Sequence, residues 1–204
     1  MSRKAGEDGI FWEWRTFGTI TDRARRTLAR CERRGSGEVV NEDLYFISAL
    51  TEQNVKLRHG SDQLKLKPLL VRLDDGLELY EESPRWIWPL PAPPEGVAAA
   101  AGLLGISLEA SEPWNVDRLR AAFKIRGSGV ITSVTVRKRR TQYLVGDGWA
   151  EIAELEFPAG AVTSLGLQSH NLNETRRLRD MLDPDRGLTP MNYVEACRTW
   201  GSAE

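Results

Sequence analysis

Two short stretches, Asn54-Val-Lys-Leu-Arg58 and Gln63-Leu-Lys-Leu-Lys67, alternate apolar and basic residues on either side of a Gly60-Ser-Asp62 turn. As strands of a hairpin they place Lys56, Arg58, Lys65 and Lys67 on one face and Val55, Leu57, Leu64 and Leu66 on the other, because successive strand side chains point opposite ways. Four cations on one face repel one another. They suit either a solvated surface or a pocket for a ligand with several negative charges. Two further groups carry chemistry. Glu13 and Arg15 lie two apart in Ile10–Phe17; the basic run Arg137 to Arg140 precedes the pair Glu154 and Glu156. Carboxylates at i and i+2 on a strand are about 6–7 Å apart at the backbone, close enough to converge on one hard cation. Mg²⁺ or Mn²⁺ takes such oxygens together with phosphates and water, and Arg and Lys neutralise phosphates.

The elements that must position these groups follow from pattern and punctuation. Aromatic-rich Ile10–Phe17 suits a strand, with Phe11, Glu13, Arg15 and Phe17 on one face. A helix is expected over Thr21–Arg34, stopped by Gly35, with its arginines on a solvated face. Val39–Ser48 reads as a strand, and Pro68–Glu82 as strand broken at Asp74-Asp75-Gly76. The Pro- and Trp-rich run Pro84–Pro94 reads as a packed connector. Helices are expected over Glu95–Leu104, Val116–Lys124 and Asn173–Leu182, and a last one opens at Thr189-Pro190 and carries Tyr193 to Trp200. Gly127–Val145 and Trp149–Phe157 form a second hairpin about Gly146-Asp147-Gly148. In its return strand Ile152, Glu154 and Glu156 share one face, and Trp149, Glu151, Ala153 and Leu155 the other. Antiparallel hairpins with several helices make the class α+β.

Composition narrows the partners. The 204 residues suit one medium-sized domain: a flexible N-terminus over residues 1–9, then a single domain over residues 10–200. With 41% hydrophobic and 28% charged residues a globular, soluble protein is expected. A net charge of -1 supplies no overall field for nucleic acid. The longest apolar run, Val97–Ile106, is too short to span a bilayer, so no membrane partner is expected. Cys31 and Cys197, without metal-ligand spacing, read as reduced thiols of a cytoplasmic protein. His59 and His170 sit among loop residues, and Gly127-Ser-Gly129 is too short for a phosphate loop. Trp86 and Trp88 suit either a tunnel mouth or a homodimer contact.

Taken in order, the motifs resemble the CYTH domain, the triphosphate tunnel metalloenzymes. That family opens on a Glu-x-Glu-x-Lys strand, continues through Asp-x-Tyr-(Tyr/Phe), Leu-Arg-x-Arg and Leu-Thr-x-Lys stretches, and closes with Lys-x-Arg and Glu-x-Glu strands. The matching stretches here are Phe11-Trp-Glu-Trp-Arg15, Asp43-Leu-Tyr-Phe46, Val55-Lys-Leu-Arg58, Leu64-Lys-Leu-Lys67, Lys138-Arg-Arg140 and Glu154-Leu-Glu156. Met191-Asn-Tyr-Val-Glu195 is similar to the family's terminal helix, so the resemblance runs from Ile10 to Trp200.

The resemblance implies an antiparallel eight-stranded β-barrel, or tunnel, with flanking helices. It implies phosphate binding by Arg15, Lys56, Arg58, Lys65, Lys67, Lys138 and Arg140, and Mg²⁺ or Mn²⁺ held by Glu13, Glu154 and Glu156. The implied activity is metal-dependent hydrolysis of inorganic tripolyphosphate or an organic triphosphate. The alternatives are a non-catalytic polyphosphate or nucleotide binder and a class IV-type adenylate cyclase. Three departures stand out. Phe11 occupies the place of the motif's first Glu, and Arg15 replaces its Lys. The family pattern turns Lys138 and Arg140 inward, whereas alternation with Val134 and Val136 favours Arg137 and Arg139; the expectation follows the family.

Overall fold

The computed structural model describes residues 9–35, 37–127, 129–183 and 187–202. The expected loose segment over residues 1–8 lies outside them, as does Ser128 of the glycine turn. Ten strands form one curled antiparallel sheet: β1 (Ile10–Phe17), β2 (Val39–Ser48), β3 (Asn54–Arg58), β4 (Gln63–Lys67), β5 (Leu69–Arg72), β6 (Glu78–Glu81), β7 (Ile87–Pro89), β8 (Ile131–Val145), β9 (Gly148–Phe157) and β10 (Gly160–Ser169). Their order is β5-β6-β1-β10-β9-β8-β2-β3-β4-β7. Five α-helices flank the sheet among the described residues: α1 (Asp22–Leu28), α2 (Pro94–Leu103), α3 (Val116–Arg126), α4 (Leu172–Leu182) and α5 (Tyr193–Trp200). The class is α+β and the architecture tunnel-like. Among the described residues the strand count is ten rather than eight, and the sheet ends at β5 and β7.

Three apolar clusters decide which face of the sheet is which. Outward-facing Leu44, Phe46, Val55, Leu57, Leu64 and Leu66 of β2, β3 and β4 are buried beneath Val97, Ala100 and Ala101 of α2 and Leu119 and Phe123 of α3. Trp86 and Trp88 pack against this cluster. On the other flank Trp14, Ala150, Leu165 and Leu167 are covered by α1 and α4 through Ala24, Leu28, Leu178 and Leu182. The third cluster is on the concave side. There α5 lays Tyr193, Val194, Ala196 and Cys197 against Tyr45, Ile47, Val134, Val136, Ala153, Leu155 and Phe157. Thus α5 fills one stretch of the inner face with apolar contacts, and the rest is left to charged residues.

Four sequence expectations change. Helix α1 stops at Leu28, because residues 32–34 run alongside the tip of β8: Arg34 N–H donates to Gln142 O at 2.8 Å and Leu144 N–H to Glu32 O at 2.8 Å. Helix α5 is capped by Asn192, whose side chain and Glu195 form a capping box, rather than by Thr189-Pro190; Pro190 instead bridges to Thr16 of β1. Strand β10 has no counterpart in the sequence reading. Its glycines, Gly160 and Gly166, weaken the strand signal, yet it joins β1 to β9. The fourth change concerns Glu154 and Glu156 and belongs to the site.

Candidate functional site

The pairing register assembles the inner wall row by row. Glu13 of β1 lies beside Glu78 of β6 and Gln168 of β10, and Gln168 lies beside Trp149 of β9. Arg15 lies beside Gly166, and Gly166 beside Glu151. On the other side Lys138 follows from the β8–β2 pairing, Lys56 and Arg58 from β3, and Lys65 and Lys67 from β4. These side chains surround a chamber of about 850 Å³ that Phe11, Arg34, Tyr80, Glu82, Arg140, Gln142, His170 and Tyr193 also line. Eight cations line it, against the carboxylates Glu13, Glu82, Asp147 and Glu151.

The basic hairpin is therefore an inner wall, because its apolar side is covered by α2 and α3. Lys56 and Lys65 stand directly opposite one another in register, an arrangement that destabilises a sheet. Asp43, fully buried beneath this wall, is the counter-ion. Its Oδ1 accepts from Arg58 Nε at 3.1 Å, and its Oδ2 lies 3.2 Å from Lys56 Nζ and 2.8 Å from Lys138 Nζ. Burial disfavours the Asp43 carboxylate, but Lys56, Lys138 and Arg58 outweigh it and hold its pKa well below the carboxylate range. Burial also pushes the Lys56 pKa well down; Asp43 opposes this, and Lys138, Arg58 and Lys65 reinforce it. The pKa values of Lys65 and Lys138 are lowered as well, first by burial. A wall of buried ammonium groups held below their ordinary basicity is one that gains from an incoming anion.

The acids that face this wall are ion-paired, to its cations and to Arg15. Lys67 bonds Glu13, and Lys65 bonds Glu82. Arg15 bridges Glu13 and Glu151, at 3.0 and 3.3 Å. Glu151 also accepts from Arg140 at 3.3 Å and Gln142 at 3.0 Å. Burial alone would raise the Glu13 pKa, yet Lys67 and Arg15 bring it down to about 2. Aromatic rings support the cations: Lys138 Nζ lies 3.9 Å from the centre of the Tyr193 ring, and Lys67 Nζ 4.6 Å from that of Tyr80.

All seven cations singled out from sequence (Arg15, Lys56, Arg58, Lys65, Lys67, Lys138 and Arg140) line this one chamber, as does Glu13. Lys138 and Arg140 face in and Arg137 and Arg139 out, with Val134 and Val136 sharing the inner face under α5. Glu154 and Glu156 are separated from the rest. Their side chains are 71% and 69% exposed on the outer face, near Arg139 and Arg137. They are an odd number of residues from Glu151, and strand alternation therefore sends them to the opposite side. The inner acid of β9 is Glu151, which the sequence reading placed on the other face without a role. Asp43 and Glu82 were likewise overlooked. Asp43 sits inside a quoted motif, and the three cations facing it in the β2–β3–β8 pairing were the available signal.

The fit of a divalent cation can be tested on the donor set. Phe11 stands at the chamber where the resemblance calls for a carboxylate, and Glu13 lies across the sheet from Glu154 and Glu156. Among the described residues no three His, Cys, Asp or Glu side chains gather as a metal site requires. Each oxygen of Glu13 and Glu151 already accepts from an Arg, Lys or Gln side chain. Mg²⁺ or Mn²⁺ seeks near-octahedral oxygen ligation, and these residues as arranged do not fit it.

No protein-family profile matches the chain, and no curated protein matches it. Solved structures do. A candidate adenylate cyclase from Bacillus halodurans is 9% identical with a TM-score of 0.53, covering 95% of this chain and 100% of its own. A conserved hypothetical protein from Pyrococcus furiosus is 16% identical with a TM-score of 0.50, covering 91% of this chain and 98% of its own. A candidate adenylyl cyclase from Hippeastrum, reported with a dominant triphosphatase activity, is 15% identical with a TM-score of 0.49, covering 93% and 95%. At such identities the likeness to the first two is one of fold. The chain has the tunnel fold that its resemblance to the CYTH, or triphosphate tunnel, proteins leads one to expect, in a divergent sequence.

Proposed function

We propose that the chain binds the triphosphate group of a small molecule in this chamber. The observation that carries the reading is the excess of buried and half-buried cations on the β3–β4–β8 wall. Lys56, Arg58, Lys65, Lys138 and Arg140 face a shared space, with Asp43, Glu82 and Glu151 as their partners. Like charges that share a poorly screened space repel one another, so a polyanion placed among them is favoured. Unused donors point the same way. The Tyr193 hydroxyl and Arg140 Nε are buried, line or adjoin the chamber, and have no hydrogen-bond partner among the described residues.

Hydrolysis of the bound triphosphate is the second reading. The same cations would stabilise charge developing on the transferred phosphoryl group and its leaving oxygens. Divalent metal held jointly by Glu13, Glu154 and Glu156 has no support from the geometry, since the sheet lies between them. The cyclase alternative keeps the same binding step, and a candidate cyclase shares the fold.

Thermal melting with tripolyphosphate, thiamine triphosphate and ATP tests the proposal, and phosphate release from each, with and without Mg²⁺ or Mn²⁺, tests the second reading. A rise in melting temperature with at least one of the three is expected. If none of them moves it, the chamber is not a triphosphate site. Release of phosphate at a rate that Lys56→Met abolishes would establish the second reading alongside the first.

A further inference from the structure

Every polar atom of the Arg15 side chain is committed inside the protein. Its Nε donates to Glu13 Oε1 at 3.0 Å, one terminal nitrogen to Ser164 Oγ at 3.1 Å, and the other to Glu151 Oε1 at 3.3 Å. The guanidinium carbon lies 4.7 Å from the centre of the Tyr193 ring, and the residue is only 6% exposed. Across the β1–β10 pairing its neighbour is Gly166, and a Cβ at that position would collide with the guanidinium. The glycine that weakens β10 as a strand thus makes room for an arginine. The second oxygens of the same two carboxylates are taken too: Glu13 Oε2 by Lys67, and Glu151 Oε2 by Gln142 at 3.0 Å and Arg140 at 3.3 Å.

Two buried carboxylates from different strands converging on one positive group is the arrangement a divalent cation would require. Here the positive group is part of the chain. We infer that Arg15 is a resident cation standing where a divalent metal would sit between Glu13 and Glu151, so that polyphosphate meets the chamber wall with no metal in between. A planar guanidinium suits the place, since its fork satisfies separate carboxylates at once and it stays charged when buried. Breaking such a buried set leaves carboxylates without a counter-charge, a cost that keeps Arg15 in place. Arg15 and Lys67 then anchor the acidic wall, and the ligand is left to Lys56, Arg58, Lys65, Lys138 and Arg140.

This deepens the triphosphate reading, but its test needs no triphosphate. Mn²⁺ is titrated alone into the full chain, with bound metal read from loss of the free-ion EPR signal. Wild type is expected to retain none at millimolar Mn²⁺. Arg15→Ala, shown by circular dichroism to be folded, is expected to retain one ion, and Arg15→Ala/Glu151→Gln to lose it again. Mn²⁺ bound by wild type and lost in Glu151→Gln would overturn the inference. So would a folded Arg15→Ala that takes no metal, because the guanidinium would then not be what fills the place. If Arg15→Ala does not fold, the wild-type titration decides by itself. A parallel melt with tripolyphosphate in EDTA separates the two claims. Stabilisation in EDTA together with Mn²⁺ binding by wild type would overturn this inference and leave the triphosphate site standing. Failure of tripolyphosphate to stabilise in either EDTA or Mg²⁺ would remove the triphosphate reading while the Mn²⁺ titration still judged Arg15.

Discussion

Strands β8 and β9 carry basic and acidic residues on both faces, and the two sets of charges stand in different surroundings. Outside, Arg137 lies between Glu42 and Glu156 at 3.3 and 3.9 Å, and Arg139 between Glu38 and Glu154 at 3.6 and 4.0 Å. These side chains are between 39% and 71% exposed, and each cation has two acids, so here the acids outnumber the cations four to two. Inside, Lys138 and Arg140 belong to a wall where cations outnumber acids and Lys138 is 3% exposed. Water screens the outer pairs to little net effect. The inner charges are poorly screened, so their imbalance is a store of affinity for an anion and a source of instability without one. One residue along a strand separates an exposed, screened ion-pair ladder from the charged wall of the chamber.

The largest expected effect strikes the balance of the inner wall. Asp43→Ala removes the buried acid shared by Lys56, Arg58 and Lys138, and urea unfolding should record a loss of about 3–5 kcal/mol. A loss no larger than that of an outer acid would erase the contrast between the faces. Next in size is Lys56→Met, which removes an inner cation and leaves Asp43 with Arg58 and Lys138. The ligand-free protein should be as stable as wild type or more so, while tripolyphosphate affinity, read by calorimetry, falls roughly tenfold or more, about 1.4 kcal/mol. Because the Lys56 pKa is depressed in the free protein, binding a polyanion should take up protons. Affinity should then weaken as pH rises through that depressed value, and the heat of binding should vary with the buffer's ionisation enthalpy.

The acidic wall offers a smaller, graded test. The Glu13 pKa falls from 4.5 to about 2 on folding. Its contribution to stability is therefore present above pH 4.5 and is lost as pH falls from 4.5 towards 2, where the unfolded chain binds the proton first. Acid unfolding followed by tryptophan fluorescence should steepen in that window for wild type and flatten in Glu13→Gln. The smallest effect belongs to the outer ladder. Glu154→Ala and Glu156→Ala should each change stability by no more than about 0.5 kcal/mol and leave tripolyphosphate binding untouched.

How much of this was legible in the sequence depends on how each feature is encoded. Alternation in Asn54–Arg58 and Gln63–Lys67 divides four cations from four apolar residues without the structure. Alternation alone does not say which set faces in. That is decided by Val97, Ala100, Leu119 and Phe123, helical residues about thirty or more positions away along the chain, which cover Val55, Leu57, Leu64 and Leu66. Likewise Val134 and Val136 argued against Lys138 facing inward only until α5 supplied them with an apolar cover. The misplacement of Glu154 and Glu156 came from matching a motif by order instead of parity, and strand parity admits no compromise. Strand β10 was hidden because Gly166 answers to Arg15, a residue on another strand, rather than to the propensities of its own.

The central claim is that the inner cations bind polyphosphate and the outer ones do not. It is tested most directly by calorimetric titration of tripolyphosphate into wild type and two charge-matched variants, Lys56→Met/Lys65→Met on the inner face and Arg137→Met/Arg139→Met on the outer. Each variant loses two positive charges, so any effect of overall charge is common to both. The inner variant should lose measurable binding while the outer one keeps wild-type affinity. Equal losses, or a loss confined to the outer variant, would contradict the assignment of the chamber as the binding site.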